Sequence, residues 1–389
     1  MIRQESMLIG IDASRATAAQ RTGTEVYSLH LIRALLACGA GHRFRLYFNQ
    51  APTPGLLPSG ADSRVMPFPR LWTHLRLSRE MHSAPPDVLF VPSHVLPLIH
   101  PQRCVVTVHD LGYHYYPEAH TLFQNVYLRW STRYNARTAK RVVADSEATR
   151  QDLLRYYGIP EERIAVIYPG RDETLAPVKD PQATGAVCGR YGVDAPYFLY
   201  VGTLHPRKNL VRLIDAFAAF RNARQAQAQS VDGRTDGVSG IQLVLAGQKG
   251  WLYDEIFARV RKLGLEEHVV FTGYVPDADM PNLLSSALAF VFPSLHEGFG
   301  FPVLEAMACG TPVICSDVSS LPEVAGDAAL QVDPLDSEAL AEAMMQVAMD
   351  EGLRTVLVER GHRQVQRFSW QRCASEVLQL LEDVGRGLD

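Results

Sequence analysis

The chain has 389 residues, 47% hydrophobic and 21% charged, which excludes a disordered or fibrous protein and suits two domains of ordinary size. The net charge of −4 hides an uneven split: up to residue 180 there are 21 basic and 16 acidic residues, a net of +5, and beyond it 17 and 26, a net of −9. By charge alone the first half suits a membrane face, a phosphorylated lipid or nucleic acid, although an ordinary wet basic surface would give the same count. The six cysteines form no CxxC pair and no zinc or disulfide spacing, so we expect a reducing compartment. The stretch MIRQESMLIGID contains no long apolar run, and no later run approaches the roughly 18 residues of a spanning helix, so the expectation is a cytoplasmic protein, neither secreted nor membrane-spanning.

Short runs rich in Val, Ile, Leu and Phe alternate with longer helical patterns, the mark of parallel strands joined by crossover helices. In chain order the first set of strands is Met7–Ile11, Phe44–Phe48, Val88–Val91, Cys104–Val108, Val142–Asp145 and Ile164–Ile167. The second is Tyr197–Val201, Gln242–Ala246, Val269–Thr272, Ala289–Phe292, Pro312–Cys315 and Ala329–Val332. The predicted fold class is therefore α/β, with two Rossmann-like, doubly wound parallel-sheet domains facing across a cleft. Their bounds are 1–180 and 196–369, with a C-terminal helix at about 370–389 packing back on the first. Leu175 to Pro196 reads as a linker and candidate hinge, and Ala223 to Gly240 as an exposed loop.

Several elements carry candidate chemistry. Arg21-Thr22-Gly23-Thr24-Glu25 precedes an amphipathic helix expected over Val26–Leu36, where Gly23 would let a phosphate approach the helix start; a plain helix cap explains it equally well. The stretches Arg70 to Arg79 and Tyr127 to Arg141 interleave cations with aromatics, which suits anionic lipid headgroups or an ordinary helix with one wet face. His109-Asp110 ends the strand CVVTV at the edge where open α/β sheets bind ligands, and the aromatic loop after it, with Tyr113, suits stacking on a sugar. Ser146 reads as a helix cap. Gly202 to Asn209 follows the strand YFLYV and brings two adjacent cations to the same edge: Arg207 to grip phosphate oxygens in a fork, Lys208 as a compact charge.

The densest pattern is His296 to Pro312, HEGFGFPVLEAMACGTP, after the strand ALAFVFPS. Gly298 and Gly300 permit close backbone approach, Pro302 suits the first turn of a helix, and Gly310 ends it. The amides at that helix start would face an anion such as a diphosphate. Glu297 precedes the helix and Glu305 lies about one turn inside it, so the two carboxylates meet different parts of one ligand.

This run resembles the signature of the retaining family 4 glycosyltransferases, with two glutamates separated by seven residues, and the resemblance extends over almost the whole chain. It implies the GT-B architecture and the transfer of a hexose from a nucleotide-sugar. By resemblance, Glu297 sits at the transferred sugar, Glu305 at the ribose hydroxyls, and the amides of Gly298, Phe299, Gly300 and Phe301 at sugar and phosphate. Arg207 and Lys208, with Gly202, match the diphosphate site, Gly23 the N-terminal glycine loop, and His109-Asp110-Leu111 a pattern of mannosyltransferase-like members. On this reading the catalytic set is Glu297, His109, Arg207 and Lys208, with Asp110 and Tyr113 on the acceptor side. His109 would bond either the transferred sugar or the acceptor.

The likeness to envelope mannosyltransferases points to GDP-mannose as donor and a saccharide or lipid-diphosphate-linked saccharide as acceptor, with peripheral contact to an anionic membrane and no nucleic acid partner. Donors carrying UDP or dTDP, and a GT-B nucleotide-sugar epimerase, remain the alternatives. Asp277-Ala278-Asp279 imitates the DxD of metal-dependent transferases, but members of this family do not use such a site, so neither a metal nor a cofactor is expected.

Overall fold

A computed structural model of the chain describes residues 6–18, 22–58, 60–93, 95–119, 121–194, 196–230 and 240–388. It divides into two compact units, Met1–Gly170 with Phe368–Asp389, and Arg171–Arg367. Among the described residues no helix is long and apolar enough to cross a membrane.

The first unit is built on seven parallel strands: β1 (Leu8–Asp12), β2 (Arg43–Phe48), β3 (Asp62–Val65), β4 (Val88–Val91), β5 (Cys104–Val108), β6 (Arg141–Ala144) and β7 (Ile164–Val166). Their order is β3-β2-β1-β4-β5-β6-β7. The central strands β4 and β5 are buried at every position, as helices on both faces of a parallel sheet require. Every apolar run named from the sequence carries a strand, some with ends displaced by a residue. The strand the sequence did not reveal is β3, whose residues DSRV form a partly exposed edge with no apolar run to betray it.

In this unit the Gly23–Cys38 helix starts three residues earlier than expected because Glu25 Oε2 accepts the Thr22 N–H at 3.1 Å, a reciprocal cap across the first turn. The C-terminal Trp370–Arg386 helix packs on it, with the Trp370 ring stacked on His30 at 5.4 Å and edge-on to Tyr27 at 5.9 Å. Backbone approach at Gly170 is so close that a Cβ there would lie 2.2 Å from the Trp370 nitrogen.

The second unit has six parallel strands: β8 (Tyr197–Val201), β9 (Gln242–Ala246), β10 (Val269–Gly273), β11 (Ala289–Phe292), β12 (Val313–Ser316) and β13 (Ala329–Val332). They are ordered β10-β9-β8-β11-β12-β13. Two sequence expectations need correction here. Leu175 to Pro196 is not an open linker, since Pro181–Arg190 is a helix capped by Asp180 with proline in its first turn. It is docked within this unit: Asp279 takes Arg190 at 2.6 Å and the Tyr191 hydroxyl at 2.7 Å, and Val178 N–H reaches Ser285 Oγ at 2.9 Å. The expected loop from Ala223 is helical as far as Ser230, because ARQAQAQS is rich in strong helix formers; residues 231–239 lie outside the described residues.

Candidate active site

Strand order in the second unit reverses between β8 and β11, and the segments leaving their carboxyl ends hold most of the predicted residues. Gly202 leaves β8 with a φ of +150°, and an added Cβ would sit 2.6 Å from the Tyr200 hydroxyl, so glycine is required. A short 3-10 turn, Pro206–Lys208, follows and is stopped by Asn209 in the left-handed region. The buried Asn209 amide donates to the carbonyls of Pro293 at 3.1 Å and Pro334 at 2.6 Å, while Leu295 N–H donates to the Arg207 carbonyl at 2.9 Å. These bonds tie the loop after β8 to the loop after β11, and so bring Arg207 and Lys208 to Glu297.

Glu297 is 9% exposed. Its Oε1 accepts from Lys208 Nζ at 2.5 Å and from the Ser294 hydroxyl; its Oε2 lies 3.9 Å from Arg207 Nη1. Arg207 also donates to the His296 carbonyl at 2.6 Å, and Lys208 Nζ stands 4.9 Å over the Phe292 ring. Burial pushes the Glu297 pKa up, but Lys208, Arg207 and the two side-chain bonds outweigh it and hold the carboxyl below its usual range. Glu297 is therefore an ionised acceptor of hydrogen bonds rather than a proton donor.

The backbone beyond Glu297 is held by the segment after β12. Ser319 Oγ accepts the Glu297 N–H at 2.9 Å, and the buried Ser320 hydroxyl donates to the carbonyls of Glu297 at 3.0 Å and Phe299 at 2.6 Å. Gly300 then turns with φ +122°, where a Cβ would meet Leu321 Cδ2 at 2.9 Å, and opens the Phe301–Ala308 helix with Pro302 in its first turn. Phe299 is buried edge-on against Phe301 at 5.2 Å. Glu305, one turn inside, is in the opposite state to Glu297: burial first, then Asp172 and Asp277, raise its pKa from 4.5 to about 7. Among the described residues no cation offsets them. Asp279, of the DxD-like triplet, is already engaged by Arg190 and Tyr191.

The remaining predicted residues belong to the first unit. Gly23 is the exposed first residue of its helix; Arg21 of that motif lies outside the described residues. His109 ends β5 with both ring nitrogens committed, Nδ1 to Asp145 Oδ2 at 2.5 Å and Nε2 to the Pro92 carbonyl at 3.0 Å. The Pro92 carbonyl only accepts, as does Asp145 while ionised, although burial raises the Asp145 pKa; with that carboxyl ionised the arrangement calls for a proton on each nitrogen. Burial opposes that charge, but Asp145 and the Pro92 carbonyl prevail and raise the His109 pKa. Asp110 folds back to accept the Gly112 N–H at 3.0 Å.

Tyr113 corrects the expectation of a stacking surface. It is 4% exposed, sits in the hydrophobic core, and bonds its hydroxyl to that of Tyr157 at 2.9 Å. Its ring is too buried to be the platform expected of that loop. Ser146 caps the Glu147–Tyr157 helix, accepting Thr149 N–H at 3.1 Å.

Sequence reasoning did not single out Ser294, Asn209, Ser319, Ser320 or Asp145. Ser294, Ser319, Ser320 and Asp145 lie within four residues of strand ends at the ligand edges of their sheets, and Asn209 closes the turn eight residues after β8. That position, with a polar side chain following an apolar run, was the signal available.

The family model described as Glycosyl transferases group 1 matches residues 191–364, and the model described as Glycosyltransferase Family 4 matches residues 21–175. O-antigen chain mannosyltransferase B of Escherichia coli is 34% identical over 278 residues, covering 71% of this chain and 69% of that protein. O-antigen chain mannosyltransferase RfbU of Salmonella typhimurium (strain LT2) is 30% identical over 254 residues, covering 65% and 63%. Sucrose-phosphate synthase from Thermosynechococcus elongatus shares the fold, with a TM-score of 0.75 at 22% identity over 98% of this chain and 100% of that one. With two doubly wound parallel sheets and these matches, the chain belongs to the family 4 glycosyltransferases and is a glycosyltransferase of the GT-B fold.

Proposed function

We propose that this glycosyltransferase moves mannose from GDP-mannose, with retention of configuration, onto a saccharide or lipid-diphosphate-linked saccharide during synthesis of a bacterial surface polysaccharide. The names of the two O-antigen mannosyltransferases among its relatives support mannose and the pathway, and GDP-mannose is the donor that the family resemblance implies. The observation that carries the donor site is the convergence of Arg207, Lys208 and Glu297 at the β8/β11 edge, beside the Gly300 turn that opens a helix.

In this reading the donor's diphosphate meets Arg207, Lys208 and the amides at the start of the Phe301–Ala308 helix. As the bond from the sugar's anomeric carbon to the β-phosphate oxygen breaks, negative charge grows on the diphosphate, and the two cations stabilise it there without reorganising. The leaving phosphate oxygen helps to take the proton of the acceptor hydroxyl, so no protein base is needed. Ionised Glu297 orients the sugar hydroxyls, and Glu305 accepts from the ribose. Because two protein cations stand at the leaving group, the proposal includes transfer without a metal. The protein would work at the cytoplasmic face of a membrane carrying the acceptor.

The test is to incubate purified protein with GDP-mannose, UDP-glucose, UDP-hexosamines and dTDP-rhamnose, following nucleoside diphosphate release. GDP release from GDP-mannose alone, nearly abolished in Glu297→Ala with the circular dichroism spectrum unchanged, is the expected result. Preference for a UDP- or dTDP-sugar would replace the donor assignment, and full activity of Glu297→Ala would remove the role given to that carboxylate.

A further inference from the structure

The Leu122–Thr138 helix of the first unit buries mostly small and polar side chains and leaves large apolar ones exposed. The side it buries carries Asn125, Ser131, Thr132 and Asn135 beside Ala136, and two of its amide groups are bonded inside the unit: Asn125 Nδ2 donates to the Pro117 carbonyl at 2.6 Å, and Asn135 Oδ1 accepts the Leu96 N–H at 3.0 Å. The side it exposes is apolar, with Leu122 87%, Phe123 80%, Val126 67% and Trp130 47% exposed. At 3.6 residues per turn, Leu122, Val126 and Trp130 share a stripe with Arg129, Arg133 and Arg137, all three exposed. The helix holds no Asp or Glu. A helix that buries amides and shows leucine and phenylalanine to its surroundings is patterned for an apolar neighbour outside the molecule.

Two more segments extend the same face. His74 Nε2 bonds the Tyr127 hydroxyl at 3.0 Å, which sets the exposed Leu71 and Leu75 of the neighbouring turn beside the helix. Tyr134 donates its hydroxyl to the Leu98 carbonyl at 3.2 Å, which adds exposed Leu98 and Ile99. Leu71 is held at φ +56°, in a region that leucine seldom adopts. Trp72, an aromatic of the Arg70 to Arg79 stretch, does not take part: it is buried, with Nε1 donating to the Met66 carbonyl at 2.7 Å.

We infer that this face is a membrane-insertion surface, docking the enzyme on an anionic lipid bilayer with the first two turns of the Leu122–Thr138 helix below the headgroups. Arg129, Arg133 and Arg137 then lie at the level of the lipid phosphates, and Trp130 at the boundary its ring prefers. An acid-free face that mixes apolar and cationic side chains complements anionic lipid in charge as well as polarity. The inference adds insertion to the headgroup attraction that the basic stretches alone suggested. It rests on the reading of a lipid-linked acceptor only for its purpose, and its test does not use the transfer reaction.

The full chain is sedimented with vesicles of phosphatidylcholine alone or with a quarter phosphatidylglycerol, at low and high salt. Binding to the anionic vesicles is expected, with part of it surviving high salt. The variant Leu122→Ser/Phe123→Ser/Val126→Ser should bind at least about a hundredfold more weakly, since each side chain loses its apolar burial. Reversing the arginines, R129E/R133E/R137E, should cost about fivefold or more per residue at low salt. Tryptophan emission should shift to the blue on anionic vesicles in the wild type and not in Trp130→Phe. Nucleotide-sugar hydrolysis in solution and circular dichroism report whether each variant has folded.

Absence of sedimentation with anionic vesicles overturns the inference, as does unchanged binding by the triple-serine variant, which would leave headgroup attraction alone. Self-association in sedimentation velocity that this variant abolishes, without vesicle binding, would assign the face to a second copy of the chain. Vesicle binding by a protein that hydrolyses no nucleotide-sugar would uphold the surface and strike only the proposed reaction.

Discussion

The sheets β3-β2-β1-β4-β5-β6-β7 and β10-β9-β8-β11-β12-β13 repeat one winding about β1 and β8, yet their carboxyl edges hold opposite kinds of buried pair. In the second unit a carboxylate, Glu297, is kept ionised by two cations, so positive charge is in excess. In the first unit one carboxylate, Asp145, draws a histidine towards its protonated form, and the charges of the pair balance when both are ionised. This runs against the charge of the halves, since the chain up to residue 180 is net basic and the rest net acidic. The arginines that make the first half basic stand in part on the exposed side of the Leu122–Thr138 helix. Where a protein meets its anion is set by a few charges at a strand edge, and a count over half the chain does not locate them.

Removing a cation from the second edge should have the largest effect. Lys208→Ala deletes the nearer of the two cations at Glu297 and half of the charge proposed to receive the leaving diphosphate. Turnover is expected to fall by about 10²–10³, the cost of losing one well-placed group that stabilises transition-state charge. Nucleoside diphosphate release under saturating donor measures it, and a loss under threefold would show that the edge does not carry the leaving charge.

Glu305 sharpens the contrast between the two glutamates. Its folded pKa is raised to about 7, so the folded state holds a proton that the unfolded state releases first. That group's contribution is fully present below about pH 4.5, and stability declines as pH rises through about 7. Glu305→Gln should flatten this decline, a difference of at most about 3 kcal/mol, read from urea unfolding between pH 4 and 8. Identical pH profiles for the two proteins would contradict the environment described for Glu305.

The first edge should respond more mildly. In Asp145→Asn, His109 loses the partner that raises its pKa, and its imidazole titration, followed by NMR, should move down. The histidine's contribution to stability is present below its unfolded pKa and lost as pH rises through the raised folded value, so the variant should lack that loss. Turnover is expected to fall about tenfold, as for a group that orients rather than takes part. An unmoved His109 titration would mean that Asp145 does not set its charge.

Much of the fold was legible from the chain alone, because strands buried on both faces of a parallel sheet must be continuous apolar runs, as AFVF in β11 and VLFV in β4 are. Glycines that need positive φ and a proline in a first turn likewise marked the 298–310 segment as a strand-to-helix turn. Polar segments were less readable. The DSRV edge strand lacked the apolar signal, and the Pro181–Arg190 helix was mistaken for a linker because its Gly, Ala and Thr content hid a capped start.

What only the tertiary structure decided was the company each side chain keeps. Glu297 and Glu305 are eight positions apart in one motif and look alike in the sequence, but two cations 89 and 90 positions upstream pull one pKa down while burial and two aspartates push the other up. Tyr113, expected in a stacking loop, and Trp72 of the Arg70 to Arg79 stretch are core, whereas Leu122 and Phe123, which the sequence did not single out, are exposed. Local pattern determines which strands and turns form. Ionisation and burial depend on neighbours distant in sequence, and those are fixed only when the sheets assemble.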